Sequence, residues 1–219
     1  MTLRSTLRLR GADGRPTDVG VRPRRPVVIG VALTGDLATD VRRAVRADVV
    51  RRAVEHRRGV GRVVALGAAY DPLVSAVDEV GCRPLEAALA GVGLCDVVVG
   101  DAAARVVACV PSGDGEPLPD ARGLVLRHTL LGGSDVGEVE RWQRAVAEWA
   151  ESASEPMCAA YVARAEEAAD DDADTASILD ALRELEADPV LAPGGKFETF
   201  AHLDALVGLD LSSRVGQPR

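Results

Sequence analysis

The segment between residues 27 and 67 constrains the fold of this chain more than any other. It begins with a continuous apolar run, "VVIGVAL" (27–33), which is typical of a central parallel strand buried on both faces. A long arginine-rich stretch with apolar residues at helical spacing follows and ends at "RRG" (57–59). A second apolar run, "GRVVALG" (61–67), comes next. This order predicts a right-handed strand–helix–strand unit with parallel strands.

The remaining periodicity predicts an α/β chain in two parts. Residues 1–110 predict a Rossmann-like domain with a parallel sheet. The segment "PSGDGEPLPDARG" (111–123) contains three prolines and three glycines and predicts a linker. In residues 124–219, apolar side chains recur every three or four positions and include Trp142 and Trp149 on one stripe. This pattern predicts a C-terminal α-helical bundle with both tryptophans in its core.

Three segments of the first part are less regular. Residues 1–26 combine alternating apolar residues with Gly, Asp and Pro, and they predict an arm or a hairpin. The stretch "PLEAALAGVG" (84–93) predicts a short helix. Residues 95–110 hold two short apolar runs, which fit either paired strands or one strand and a turn.

Composition limits the class of protein. Of 219 residues, 47% are apolar, and the net charge is -8 despite 25 arginines, with Lys196 the one lysine. We therefore find no general charge argument for nucleic-acid binding. No apolar run reaches the roughly 18 residues of a membrane span, and the N-terminus has no secretory signal, so we expect a cytoplasmic protein without a membrane partner. The four cysteines fit no disulfide or zinc framework, and we expect buried, reduced thiols.

The loop after the first strand of this unit is the candidate binding site, because nucleotide-binding α/β domains hold phosphates there. Its weak candidate ligand-binding residues are Gly30, Thr34, Asp36, Thr39 and Asp40. The two carboxylates could hold a magnesium ion for a nucleotide. We favour another interpretation, in which Thr39 or Asp40 caps the helix and Asp36 is a turn residue. Carboxylates at a helix start also repel phosphate.

Other charged groups predict no site. The acidic run 170–174 fits a metal loop or a solvated run that ends in a helix cap, and we favour the second. Arginines at helical spacing fit RNA contacts or a solvated helix face paired with acids elsewhere, and we again favour the second. No cysteine lies at ligand spacing from a histidine, so we predict no metal site. The arginine rows are Arg42, Arg46 and Arg57, and Arg43, Arg51 and Arg58; the histidines are His56, His128 and His202.

A family resemblance rests first on the helical part. The stretch "DDDADTASILDALRELE" (170–186) resembles the "DDD-x-NTP-x-AL" signature of the helical domain of cysteinyl-tRNA synthetases and of the related cysteine ligase of mycothiol biosynthesis. Asp174 stands where that family has Asn, and Ala176 where it has Pro. The stretches "LVLRHTLLGG" (124–133) and "FETFAHLDALVGLDL" (197–211) are similar to neighbouring helices of the same domain.

The resemblance extends to the βαβ unit but loses the chemistry of the family. When residues 47–59 are aligned with the family's "FDVLRRYLEYLG", Leu37 occupies the first position of the HIGH motif and Asp40 the last. Lys196 lies far beyond any KMSKS position, and Val28 or Ile29 stands where the family has a zinc-binding cysteine. The missing cations would remove about 2–4 kcal/mol of transition-state stabilisation each. We therefore predict no catalytic residues and no zinc.

The resemblance implies a truncated class I synthetase-like protein that has become a non-catalytic binding or accessory protein. It would need no cofactor, and its partner would be an unknown protein or a small ligand, with tRNA weakly supported and a homodimer possible. The alternative is an active ATP-dependent, aminoacyl-adenylating ligase with a remodelled site that uses ATP and magnesium. A third reading is an unrelated α/β binding module with a helical tail.

Overall fold

The computed structural model describes residues 6–11, 14–86, 95–100, 108–110 and 116–217. The chain begins with an antiparallel hairpin of β1 (Thr6–Arg10) and β2 (Pro16–Gly20). The side chains of Leu7 and Leu9 alternate with exposed residues and are fully buried. Of the arm and the hairpin that the sequence allowed, the structure therefore forms the hairpin.

A parallel sheet follows, with the strand order β4–β3–β5–β6. Its strands are β3 (Pro26–Ala32), β4 (Val60–Leu66), β5 (Val97–Val99) and β6 (Ala108–Val110). The predicted βαβ unit is confirmed, since β3 and β4 pair in parallel over seven residues and α1 (Leu37–His56) connects them. The two apolar runs in 95–110 form paired strands.

The helix predicted over residues 84–93 is wrong at its start. After α2 (Asp71–Glu79), residues 82–86 are extended, and Glu86 forms a parallel bridge with Val64. The backbone N–H of Glu86 donates to Val63 O at 2.9 Å, so the open edge of β4 gains a partner. Residues 87–94 lie outside the described part of the chain.

Helix α1 belongs to two hydrophobic cores. One face, with Ala47, Val50 and Val54, packs on the sheet and the N-terminal hairpin. The opposite face, with Val45 and Val49, joins the core of the C-terminal helices. Because both faces are buried, the helix is the common wall of the sheet and the helical part.

The C-terminal part is helical, as predicted, and its described helices are α3 (Gly123–Leu130), α4 (Glu138–Trp149), α5 (Ala159–Asp170), α6 (Thr175–Ala187) and α7 (Pro193–Val207). Trp142 is fully buried, and its Nε1–H donates to Glu186 Oε2 at 2.9 Å. Both tryptophans contact the ring of Phe200 edge to face. The tryptophans therefore form core packing, as the sequence predicts. Among the described residues, every helix is too short or too polar to cross a membrane.

The three described cysteines, Cys82, Cys95 and Cys158, are all free, as the sequence predicts. Cys82 and Cys95 are buried, whereas Cys158 is only partly buried. Burial raises the pKa of the Cys82 thiol to about 11, so this group remains protonated at neutral pH. The side chain of Cys109 lies outside the described part.

A buried ion network holds α1 against α2, α3 and α7. The Arg127 guanidinium, fully buried, donates to Asp48 Oδ2 at 2.7 Å and to Val207 O at 2.7 Å. Asp48 also accepts from Arg51 and Arg52 within its own helix. Burial favours the neutral form of Asp48, but Arg127, Arg52 and Arg51 outweigh burial and lower its pKa to about 2.

This network predicts a loss of stability in acid. The pKa of Asp48 lies below the usual unfolded value of about 3.9, so its contribution is complete above that pH and is lost as the pH falls towards 2. A shift of this size contributes on the order of 2 kcal/mol. The free energy of unfolding, measured from pH 6 to pH 2.5 for wild type and Asp48→Asn, should show a difference that shrinks on acidification. A constant difference would contradict the assignment.

Candidate functional site

Ligands of open parallel sheets bind at the carboxyl ends of the strands, where neighbouring strands connect in opposite directions. In this sheet that point lies between β3 and β5, because the chain passes from β3 to β4 on one side and returns to β5 on the other. The loop after β3 and the start of α1 therefore form the candidate site. Four of the five predicted residues lie there, whereas Gly30 lies inside β3.

Asp40 is the central residue of this site. Although it lies next to an exposed loop, its side chain is fully buried. Its Oδ1 accepts hydrogen bonds from Thr34 N at 2.8 Å and from Thr34 Oγ1 at 2.9 Å. Its Oδ2 accepts from Gly35 N at 3.0 Å and from the Tyr70 hydroxyl at 3.0 Å. A carboxylate has about four acceptor positions, and here all four are used.

Tyr70 completes the shell around Asp40 from the start of α2. Burial, followed by the hydrogen bond to Asp40, raises the pKa of the Tyr70 hydroxyl to about 12. The hydroxyl therefore remains a donor at neutral pH. The carboxylate of Asp40 thus accepts hydrogen bonds from backbone amides that would donate to a phosphate in a nucleotide-binding loop.

The predicted roles of the acidic residues at the helix start need correction. Asp36, and not Thr39 or Asp40, is the N-cap of α1, and its Oδ2 accepts from Thr39 N at 2.9 Å. This hydrogen bond lowers the pKa of Asp36. Thr39 and Asp40 lie inside the first turn. The prediction was wrong because Asp40 is directed back at the loop, where its carboxylate has more donors than it would have as a cap.

Side-chain packing, without any ligand, explains why residue 30 is a glycine. A β-carbon at this position would lie 2.7 Å from Leu66 Cδ1 and 2.8 Å from Cys95 Sγ. Both distances are shorter than real carbon contacts, so only glycine allows Leu66 and Cys95 to cover the centre of β3. The structure therefore separates Gly30 from the other four candidate residues.

Arg43 closes the other side of the same crevice. Its side chain is 2% exposed, and its guanidinium donates to the carbonyl of Ala32 at the end of β3. Gly100, which directly follows β5, has a φ of +104°, and a β-carbon there would lie 2.5 Å from Arg43 Cζ. The guanidinium therefore lies against the backbone of both strands that border the switch point. Asp40 and Arg43 together fill the place where such sheets hold a ligand.

Most arginines of the two predicted rows are not a solvated face. Arg42 donates to Pro117 O, and Arg46 donates to the carbonyls of Asp172 and Ala173. Arg51 is 3% exposed and pairs with Asp48 and Glu55. Arg42 and Arg46 connect α1 to other parts of this chain, whereas Arg51 pairs with acids of α1 itself, so these side chains are not free for RNA. Arg58 alone among the six is exposed, at the end of the helix.

The acidic run 170–174 is also more than a solvated run. Its last residue, Asp174, caps α6, as predicted. Asp172 accepts from the backbone N–H of Arg10 at 2.8 Å and lies 3.3 Å from the Arg46 guanidinium. Asp170 pairs with Arg57. The run therefore docks the helical part onto the hairpin and α1, which explains why several acids occur together.

Two of the cavities among the described residues bear on the candidate site. A cavity of about 120 Å³ lies between α1 and the bundle and is lined by Arg42, Arg46 and Thr175. Ligand pockets usually measure about 300–1,000 Å³, so this cavity is too small for a nucleotide. An open groove of about 930 Å³ lies on the bundle, between the end of α4 and residues 214–217. Neither is lined by Asp40 or Arg43.

A cluster that the sequence did not predict lies at the other end of α1. The side chains of His56, Glu166 and His202 offer ligand atoms that all lie within 4.8 Å of one another. The residues come from α1, α5 and α7, and the first two are 110 positions apart. No local spacing could reveal such a cluster, because only the packing of the three helices brings these residues together.

Comparison with known proteins identifies no relative. No protein-family model matches the chain, no curated protein matches it, and no solved structure matches it.

Proposed function

We propose that this chain is a non-catalytic binding or accessory protein built on a truncated class I synthetase-like architecture. The observation that carries the proposal is the closed switch point of the sheet. Asp40 uses all four acceptor positions on donors of this chain, and Arg43 covers the ends of β3 and β5. A nucleotide would have to displace both groups before its phosphates reached the loop amides.

The charge at the site gives a second argument against adenylation. The position that corresponds to the last histidine of the HIGH motif in the resemblance holds the buried carboxylate of Asp40. Adenylation develops negative charge on the transferred phosphate, which cations stabilise and carboxylates repel. Arg43 is a cation at the same crevice, but its guanidinium donates to the carbonyl of Ala32.

The cavities favour a protein partner over a nucleotide-sized ligand in the former cleft. The cavity lined by Arg42 and Arg46 at the start of α1 measures about 120 Å³, whereas the groove of about 930 Å³ lies on the helical bundle. The groove is lined by charged side chains from α4 and the C-terminal segment, which include Arg144, Glu148 and Arg214. The rim of a protein–protein interface is polar and solvent-accessible, and an open groove with charges of both signs is compatible with such a rim.

ATP binding and activation of cysteine test this proposal. Millimolar ATP with magnesium should leave the thermal midpoint unchanged, because a ligand that does not bind the folded state does not stabilise it. Cysteine-dependent ATP–pyrophosphate exchange should equal the no-enzyme control, with an active cysteinyl-tRNA synthetase as the positive control.

A clear exchange signal, or a rise of several degrees in the thermal midpoint with ATP, would contradict the proposal. Either result would favour the alternative, an active ATP-dependent ligase with a remodelled site. Because the exchange assay reports chemistry and the thermal shift reports binding, the pair also separates a nucleotide-binding protein from an enzyme.

A further inference from the structure

The unexplained feature of the helical part is the His56–Glu166–His202 cluster. His56 is the last residue of α1, and its Nε2 lies 3.1 Å from Glu166 Oε1 on α5. The rings of His56 and His202 meet edge to face, with centroids 4.8 Å apart and an angle of 62°. Glu166 is more exposed than His56, with 37% of its side chain accessible against 12% for His56.

A simple hydrogen-bonded pair explains only part of this arrangement. It accounts for His56 and Glu166 but leaves His202 Nε2 buried, and this atom has no hydrogen-bond partner among the described residues. A buried polar atom without a partner costs about 1–3 kcal/mol. An imidazole in its neutral form offers a lone pair at one ring nitrogen, which can bind a metal ion.

We propose that His56, Glu166 and His202 bind a zinc ion. Two imidazoles and one carboxylate are a donor set that zinc uses in proteins, with a fourth position for water. Bonds of about 2.0–2.1 Å in a tetrahedral site place ligand atoms about 3.4 Å apart. The present separations reach at most 4.8 Å, so small side-chain rotations close the site. The ion gives His202 the partner that it lacks.

The position of the site determines what the ion does. It joins the end of α1 to α5 and α7, and so it connects the helix that carries the sheet to two helices of the bundle. A cavity of about 300 Å³ lies beside His56 and is lined also by Arg52, Arg83 and Ala205. Zinc at this point stabilises the packing of the bundle against α1, since an ion that binds only the folded state raises its stability.

Zinc titration of the untagged, chelator-stripped full chain tests the proposal. We expect one zinc per chain in competition with a chromophoric chelator, and a rise of several degrees in the thermal midpoint. Cobalt(II) should bind the same site and give the intense visible absorption of a tetrahedral ion.

Matched variants locate the ion. His202→Gln should lower zinc affinity by more than about 100-fold, because even changes outside the ligand shell cost about 10–100-fold. Glu166→Gln should also lose binding, whereas Glu167→Gln removes the same charge from the neighbouring, exposed position and should bind as wild type does. Circular dichroism checks folding, and Glu166→Gln carries the test if His202→Gln does not fold.

Three results would overturn the proposal. These are no zinc binding at micromolar concentration, zinc binding that both His202→Gln and Glu166→Gln retain, and an equal loss in Glu167→Gln. The last result would indicate general attraction to the acidic surface of α5 rather than coordination by the cluster.

Discussion

Replacing Asp48 with alanine is expected to lower the free energy of unfolding by about 3–5 kcal/mol, the usual cost of breaking a buried ion pair. Asp48 is 2% exposed, and its carboxylate accepts from Arg127, Arg51 and Arg52. Without it, the fully buried guanidinium of Arg127 keeps its charge and loses its counter-ion. Urea denaturation, followed by far-ultraviolet circular dichroism, measures the loss.

An exposed pair of the same geometry is the matched control. Asp180 and Arg183 are also three residues apart on a helix, but the Asp180 side chain is 62% exposed. Surface pairs contribute about 0–1 kcal/mol, so Asp180→Ala should change stability little. If Asp48→Ala cost no more than Asp180→Ala, the buried network would not hold α1 against the bundle as described.

Replacing Asp40 with alanine is the second large effect, with an expected cost of about 2–4 kcal/mol. The change leaves Thr34 N, Gly35 N and the Tyr70 hydroxyl without their acceptor. Water can reach the loop and replaces part of this loss, which keeps the cost below that of the Asp48 change. Denaturant unfolding measures the stability, and phosphate titration measures whether the freed amides bind an anion.

Asp36→Ala is the control for Asp40→Ala. It removes a carboxylate four residues away that accepts the N-cap hydrogen bond from Thr39 N. Loss of an N-cap costs about 1 kcal/mol. We expect phosphate to stabilise Asp40→Ala more than Asp36→Ala. An equal effect on both variants, or a cost of Asp40→Ala no greater than that of Asp36→Ala, would contradict the role assigned to Asp40.

The elements of the fold could be predicted where one periodicity dominates. The apolar run that became β3 and the stripe of α1 depend on neighbours within a few positions, which the sequence displays directly. The segment 84–86 was predicted as a helix because its composition suits one. It is extended because Glu86 pairs with the edge of β4, and such a partner cannot be read from local pattern.

The position of the loop after β3 could be predicted from the sequence, but the contacts that its residues make could not. The order of strand, loop and helix places Thr34, Asp36, Thr39 and Asp40 at the carboxyl end of β3. Two aspartates four positions apart give no sign of which one caps the helix. That choice depends on Tyr70, which is 30 positions away and reaches Asp40 only after α2 packs beside α1.

By itself, the sequence determined a parallel βαβ unit and a helical C-terminal part. These properties follow from composition and short-range spacing. The tertiary structure alone decided that Asp40 and Arg43 fill the switch point and that His56, Glu166 and His202 meet. Hydrogen bonds and ion coordination act over about 3 Å, so they depend on which distant side chains packing brings into contact.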